Sequence, residues 1–277
     1  MAIRTDLACE AGGLSAEREG VTQNTREERG FPVTEVNITS ESAAEALHKP
    51  VGKYITVGLD AILHREDESF RLAAEVIAQE LKTLLRLGKT SPVLVVGLGN
   101  DGITADSIGP LTLRSTIVTR HLRDAEPEIF APFRAVSAVQ TGVTGTTGIE
   151  SAELVRAAVE TVRPAAVIAV DALASLSPER LCRTVQLSDT GIIPGSGVGN
   201  DRAALNEAYL GIPVIAVGVP TVIDASAFTD DEAAKGLFVT PRNIDEEVRS
   251  ISKLTAYGIN LALHRDITIS DIEMLIE

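Results

Sequence analysis

The chain has 277 residues, enough for a sizeable core in one large domain or two small ones. Its apolar content of 44% is that of a globular protein, and its net charge of -14 disfavours binding to nucleic acid or anionic membranes. The two cysteines, Cys9 and Cys182, are too few for a disulfide framework, which favours a reducing compartment. No apolar run reaches the roughly 18 residues of a membrane span, and the N-terminus lacks the apolar core of a signal peptide. We therefore expect a cytoplasmic protein.

Periodicity along the chain predicts strands that alternate with helices from residue 93 onward. The predicted strands are 34–39, 53–57, 93–97, 135–139, 167–170 and 213–217. The predicted helices are 66–87, 111–122, 150–162 and 245–263, and glycine-rich loops are predicted at 141–148 and 193–200. Apolar strands alternating with helices are typical of an α/β fold whose sheet is mostly parallel and covered by helices on both faces.

Two acids stand where two of these strands end. Asp106 lies in the loop after strand 93–97, and Asp171 comes directly after strand 167–170. Groups just past the carboxyl ends of parallel strands line the ligand crevice of an open α/β sheet. Two nearby carboxylates raise the pKa of one of them, giving an acid and a base that together activate water and protonate a leaving amine. Either acid alone is also explained as a helix cap or turn residue, so a non-catalytic binding module stays open.

The segment Gly97–Gly102 has the G-x-G-x-x-G spacing of a dinucleotide site, which leaves a nucleotide-dependent oxidoreductase on a Rossmann-like sheet as an alternative. The context disfavours it, because the third glycine does not open a helix and Asp101 and Asp106 would repel a phosphate. The acid that would bind the ribose, about 20 residues further on, is also missing. No histidine pair or cysteine pair has the spacing of metal ligands, so we expect neither a metal nor a cofactor.

The glycine-rich loops after the strands are either ordinary turns or places where a substrate backbone approaches closely, since glycine has no Cβ. We expect substrate contacts at Gly99, Asn100, Gly145, Gly197 and Gly199.

Ten segments, spread in order over nearly the whole chain, resemble the germination protease (spore protease) family. They are Arg4–Ala8, Gly52–Thr56, Val95–Asn100, Asp106–Pro110, Gln140–Gly145, Val170–Ala174, Pro194–Asn200, Gly211–Ile215, Gly218–Val222 and Val239–Pro241. The resemblance implies an aspartic-type endopeptidase that degrades small acid-soluble spore proteins in the spore core at germination. It also implies a self-processing zymogen, a homotetramer, and an essential pair of acids that maps onto Asp106 and Asp171.

A weaker similarity to hydrogenase maturation proteases implies a core of that type. In those enzymes two acids and a histidine can hold a metal, but this chain offers no matching histidine.

The segment Thr5–Glu10 is similar to the segments that the family cuts before an apolar residue, which implies self-cleavage between Asp6 and Leu7. We therefore predict a propeptide at 1–6 and a single peptidase domain at 7–277, with an N-terminal elaboration at 7–90 and an α/β core at 91–277. We interpret the terminus as flexible enough to enter a cleft, although a merely frayed terminus fits the same residues.

Overall fold

One mixed sheet lies at the centre of the computed structural model, which describes residues 5–13, 19–60, 67–195, 203–229 and 231–276. Among the described residues the strands are β1 (Val21–Glu28), β2 (Phe31–Ile38), β3 (Gly52–Gly58), β4 (Val93–Leu98), β5 (Val136–Gly142), β6 (Ala166–Ala174), β7 (Thr184–Ser188), β8 (Val214–Asp224) and β9 (Phe238–Val239). They follow the order β1-β2-β3-β7-β8-β6-β4-β5, and β9 pairs with β8 outside this path.

The sheet is parallel in only one half. Strands β5, β4, β6 and β8 pair in parallel, whereas β1, β2, β3, β7 and β8 pair antiparallel, as do β8 and β9. The connections explain the difference, because residues 29 and 30 alone join β1 to β2 and a two-residue turn joins only antiparallel strands. The predicted α/β class is confirmed, but a mostly parallel sheet is not.

Helices cover both faces of the sheet, as predicted. In the described part of the chain the helices are α1 (Ala8–Gly13), α2 (Glu41–Leu47), α3 (Asp67–Leu85), α4 (Ile108–Arg114), α5 (Arg120–Ala125), α6 (Pro127–Phe130), α7 (Thr144–Thr147), α8 (Ser151–Val162), α9 (Glu207–Leu210), α10 (Ile244–Leu263) and α11 (Ile269–Ile276). Successive residues of β4 belong to different cores: Val95 packs in the cluster that contains α3 and α10, and Val96 in the cluster that contains α8. This alternation is what burial on both faces of a strand requires.

The predicted helices 150–162 and 245–263 correspond to α8 and α10, and 66–87 corresponds to α3, although residue 66 lies outside the described residues. The single helix predicted at 111–122 is wrong, because the chain breaks between α4 and α5. The break falls in a β-branched run, which disfavours helix. The buried side chain of Asn260 stabilises it, accepting from the amide of Ile117 at 2.9 Å and donating to the carbonyl of Ser115 at 2.8 Å.

Candidate active site

A cavity of about 350 Å³ opens beyond the carboxyl ends of the parallel strands. Residues that line it come from the loop after β4, from the end of β6, from β8 and from the loops near 142 and 194. Both acids predicted from the sequence, Asp106 and Asp171, line this cavity, and so does Asp6. The structure therefore brings together the two candidate catalytic carboxylates at the edge of the sheet where the strand pattern places them.

Asp171 lies inside β6, not after its end as predicted. The strand continues because Asp171, Ala172 and Leu173 still pair with β8 on one side. On the other side the ladder between β4 and β6 ends at the pair Gly97 and Val170, so Asp171 is the first residue of β6 beyond it. Its side chain is only 5% exposed, and one carboxylate oxygen accepts from the amide of Ala172 at 2.9 Å. A buried strand thus fixes this carboxylate at the cavity wall.

Asp106 ends a short 3-10 turn, Thr104–Asp106, in the loop between β4 and α4. The amide of Asn100 donates to the carbonyl of Asp106 at 3.0 Å and to its carboxylate at 2.9 Å. Gly99 makes this closure possible: its φ is +101°, and a Cβ there would lie 2.1 Å from the carbonyl oxygen of Asp106. The loop therefore holds Asp106 by its own backbone.

Strand β8 also holds the loop that carries Asp106. The hydroxyl of Thr221, which is fully buried, donates to the carbonyl of Ala105 at 2.6 Å. Thr221 and Ala105 both line the cavity. Thr221 was not predicted from the sequence as a site residue, although it lies in the segment Gly218–Val222 that resembles the family.

The five predicted substrate contacts occupy different places. Gly99 lines the cavity, whereas Asn100 holds the Asp106 loop and also accepts from the amide of Gly102 at 2.9 Å. Gly145 is exposed in α7, next to the cavity residues Gly142 and Val143. Gly197 and Gly199 lie outside the described residues. All five remain predictions.

Residues 5–10 of the N-terminal segment are seated on the sheet beside the cavity, so the interpretation of these residues as a flexible or frayed terminus is wrong. Asp6 pairs with the end of β6: its amide donates to the carbonyl of Ala174 at 2.9 Å, and its carboxylate accepts from the amide of Ala174 at 2.8 Å. The ammonium of Lys49 donates to the carbonyl of Thr5 at 2.8 Å. Burial lowers the pKa of Lys49, and the charges of Asp6 and Glu10 oppose that effect.

The residues after Asp6 are buried. Leu7 and Ala8 have no exposed surface and belong to a separate apolar cluster with Tyr54 and Leu173. The carboxylate of Glu10 is held by the loop after β6, where it accepts from the amides of residues 176 and 177 at 2.8 and 3.0 Å and lies 3.5 Å from the guanidinium of Arg180. Packing and polar contacts together fix this segment.

Gln186 of β7 spans the peptide bond between Asp6 and Leu7. Its side-chain amide nitrogen donates to the carbonyl of Asp6 at 3.0 Å, and its oxygen accepts from the amide of Ala8 at 2.7 Å. Neither Gln186 nor Lys49 was predicted from the sequence as a functional residue. Both residues are recognised only by their contacts with residues 5 to 8, which are far away in the sequence, and a single sequence does not reveal such contacts.

The glycine fingerprint does not form a phosphate loop. Gly102 lies in a turn that leads to the 3-10 turn at Thr104–Asp106, and the amide of Asn100 is used by Asp106. Within the described residues, no three His, Cys, Asp or Glu side chains form a group able to hold a metal. No described helix is long and apolar enough to cross a membrane.

The fold and the cavity define a class: an α/β protein with two carboxylates at the edge of its parallel strands, an arrangement suited to acid–base hydrolysis. A family model described as germination protease matches residues 6–234. A germination protease from Caldanaerobacter subterraneus subsp. tengcongensis is 39% identical, over 100% of this chain and 98% of its own length. One from Clostridium perfringens (strain 13 / Type A) is 38% identical over 98% of both chains. One from Bacillus cytotoxicus is 44% identical over 83% of this chain and 65% of its own length. The chain belongs to the germination protease family, and it is a protease.

Proposed function

We propose that this protease cleaves small acid-soluble spore proteins at germination and that Asp106 and Asp171 are its catalytic pair. The observation that carries the assignment is that both carboxylates line one cavity while separate elements, a glycine loop and a buried strand, hold them there. Family membership supports the substrate class. The oxidoreductase alternative has no comparable support, because the loop that would hold phosphate is closed on Asp106.

The chemistry follows from a carboxylate pair that shares one proton. One acid acts as a base and takes a proton from water, whose oxygen then bonds to the carbonyl carbon of the substrate. The other acid gives its proton to the amide nitrogen as the carbon–nitrogen bond breaks. The products are a carboxylic acid and an amine, and the pair ends with one proton, as it began.

We also propose that the chain processes itself between Asp6 and Leu7. The proposal divides the chain into a propeptide at 1–6 and one peptidase domain at 7–277, with an elaboration at 7–90 and an α/β core at 91–277. The seat of Asp6 in the same cavity as the two acids supports it. Mildly acidic conditions favour processing, because lower pH populates the state with one shared proton.

The proposal extends to the assembly and the location of the protein: a homotetramer in the spore core. It also includes a core related to that of hydrogenase maturation proteases. A glycine-rich strand end that leads to an acid, as β4 leads to Asp106, supports that relation.

The experiment replaces each acid by asparagine. Asp106→Asn and Asp171→Asn keep the side-chain size but lose the base, so digestion of a small acid-soluble spore protein falls by at least about a hundredfold. Asp101→Asn is the matched control, because Asp101 is an exposed acid of the same loop. Mass spectrometry of the products and a melting curve are recorded for each variant. Near wild-type turnover in either acid variant, with an unchanged melting curve, removes that acid from the mechanism.

A further inference from the structure

The bond between Asp6 and Leu7 is held on both sides by one side chain, that of Gln186. Its amide nitrogen lies 3.0 Å from the carbonyl oxygen of Asp6, and its oxygen lies 2.7 Å from the amide nitrogen of Ala8. Gln186 is 7% exposed, so its amide works in a site largely shielded from water. A hydrogen bond to a carbonyl oxygen is worth more in such a site than in water, and most where negative charge develops on that oxygen.

The register of the sheet places Gln186 in the same cross-strand row as Asp171, two strands away. Gln186 pairs with Gly218 of β8, and Gly218 pairs on its other side with Asp171. Paired residues on neighbouring strands project to the same face, so both side chains rise from one face, two strands apart. Strand spacing puts their Cα atoms roughly 10 Å apart, which leaves room for one peptide group between a carboxylate and an amide.

The residue between them contributes no side chain. A Cβ on Gly218 would lie 2.3 Å from the side chain of Leu173, which instead rests on the sheet at this point. Leu173 belongs to the same buried cluster as Leu7. The surface between Asp171 and Gln186 is thus apolar, because Leu173 of the buried cluster that contains Leu7 covers Gly218.

We propose that Gln186 is a catalytic residue of self-processing: it is the hydrogen-bond donor for the carbonyl oxygen of the bond that is cut. This inference rests on the proposed function. When water bonds to the carbonyl carbon of Asp6, the carbonyl oxygen becomes an oxyanion, and the Gln186 amide stabilises it. The oxyanion then collapses to the carboxyl group of Asp6 as Leu7 leaves with a proton from the acid.

The role of Gln186 differs from that of Lys49, which also contacts the proposed propeptide. Lys49 donates to the carbonyl of Thr5, one residue upstream, whereas Gln186 donates to the carbonyl of the bond that breaks. Removing Lys49 loosens the seat without removing the donor. Lys49→Met is therefore the matched control for changes at Gln186.

The test measures the first-order rate of self-processing by mass spectrometry of the N-terminus. Gln186→Glu keeps an acceptor for Ala8 but has no N–H for Asp6, and Gln186→Met has neither. Both variants are expected to process at least about a hundredfold more slowly, the loss typical of a missing oxyanion donor. Lys49→Met is expected to slow processing only about tenfold, the scale of one hydrogen bond from a charged donor of about 1.5 kcal/mol.

The outcomes distinguish a failure of the role of Gln186 from a failure of the proposed proteolytic function. A chain that begins at Leu7 is assayed on a spore protein in parallel, and its failure to digest that protein overturns the proposed function. If it digests normally and Gln186→Met, which has no donor in any protonation state, processes at the wild-type rate, only the assignment of Gln186 is overturned. Equal slowing by Lys49→Met and Gln186→Glu shows that both merely seat the segment, which also overturns the assignment.

Discussion

Replacing Gly99 by alanine tests whether the position of Asp106, and not merely its presence, sets the rate of proteolysis. A Cβ on residue 99 would lie 2.1 Å from the carbonyl oxygen of Asp106 and 3.0 Å from its carboxylate. Real Cβ contacts essentially never fall below 3.0 Å, so the loop must move. The movement required is roughly 1 Å, and a misplacement of that size at a reacting group costs about a hundredfold in rate.

Gly99→Ala also strains the backbone, and this effect needs a separate control. Gly99 has a φ of +101°, which L-residues rarely adopt, so alanine there costs stability even without a clash. Gly211, at the end of α9, has a φ of +73° and no atom within 4 Å of a Cβ. Gly211→Ala should therefore destabilise the fold by about 1 kcal/mol and leave proteolysis unchanged. Gly99→Ala should cost a further 1 to 3 kcal/mol or so from the clash, and the loss of rate besides.

The assay measures digestion of a spore protein at a temperature where urea titration shows that both variants are folded. The expected result is a fall of about a hundredfold for Gly99→Ala alone. If Gly99→Ala loses stability as expected but digests at the wild-type rate, the placement of Asp106 does not matter for catalysis, and its assignment to the pair is contradicted.

Two further changes test the support of the site and of the fold. Thr221→Val removes the hydroxyl that holds the carbonyl of Ala105 and should lower kcat about fivefold, the effect of one lost hydrogen bond of about 1 kcal/mol, with little change in KM. Thr221→Ser should restore the rate, and equal kcat for the valine and serine variants would refute the positioning role. Burial lowers the pKa of His264 from 6.5 to about 4, so between these two pH values only the unfolded chain binds a proton on this residue. The free energy of unfolding therefore decreases as the pH is lowered from 6.5 to 4. At pH 4 this proton lowers the free energy of unfolding by about 3 kcal/mol. In His264→Gln this contribution should be absent, so the urea midpoint should change less between pH 4 and pH 7 than in the wild type. An identical pH slope in that variant would exclude His264 as its source.

The candidate pair was predictable because it depends on local pattern. An apolar strand that ends on a glycine loop with one acid, and a second apolar strand that runs into another, are visible in the sequence around Asp106 and Asp171. The rule that parallel strands meet their ligand at one edge then joins them. The extent of β6 was not predictable in this way, because Ala172 to Ala174 remain in the strand only through their pairing with β8.

Strands β2 and β3 overlap the predicted strands 34–39 and 53–57, but strand β1, the antiparallel pairing and the seat of the N-terminal segment were missed for a related reason. Strand β1 is mostly exposed and polar, so it lacks the apolar alternation that marks a strand. Lys49 and Gln186 contact residues 5 to 8 from distant parts of the chain, and nothing local in their neighbourhoods indicates it. Burial of Leu7 likewise depends on a surface that exists only once the sheet has formed.

The continuous ladder across the sheet also sets an order of events during synthesis. Strand β3 leaves the ribosome long before its partner β7, so its second edge stays unpaired while the intervening strands and helices are made. Pairings between segments so far apart in the chain form late in folding. The seat of Asp6 is built from Ala174 and Gln186, which belong to that late-made half. The N-terminal segment therefore cannot reach its place over the sheet until β6 and β7 have joined the fold, and its seating marks the completion of the sheet.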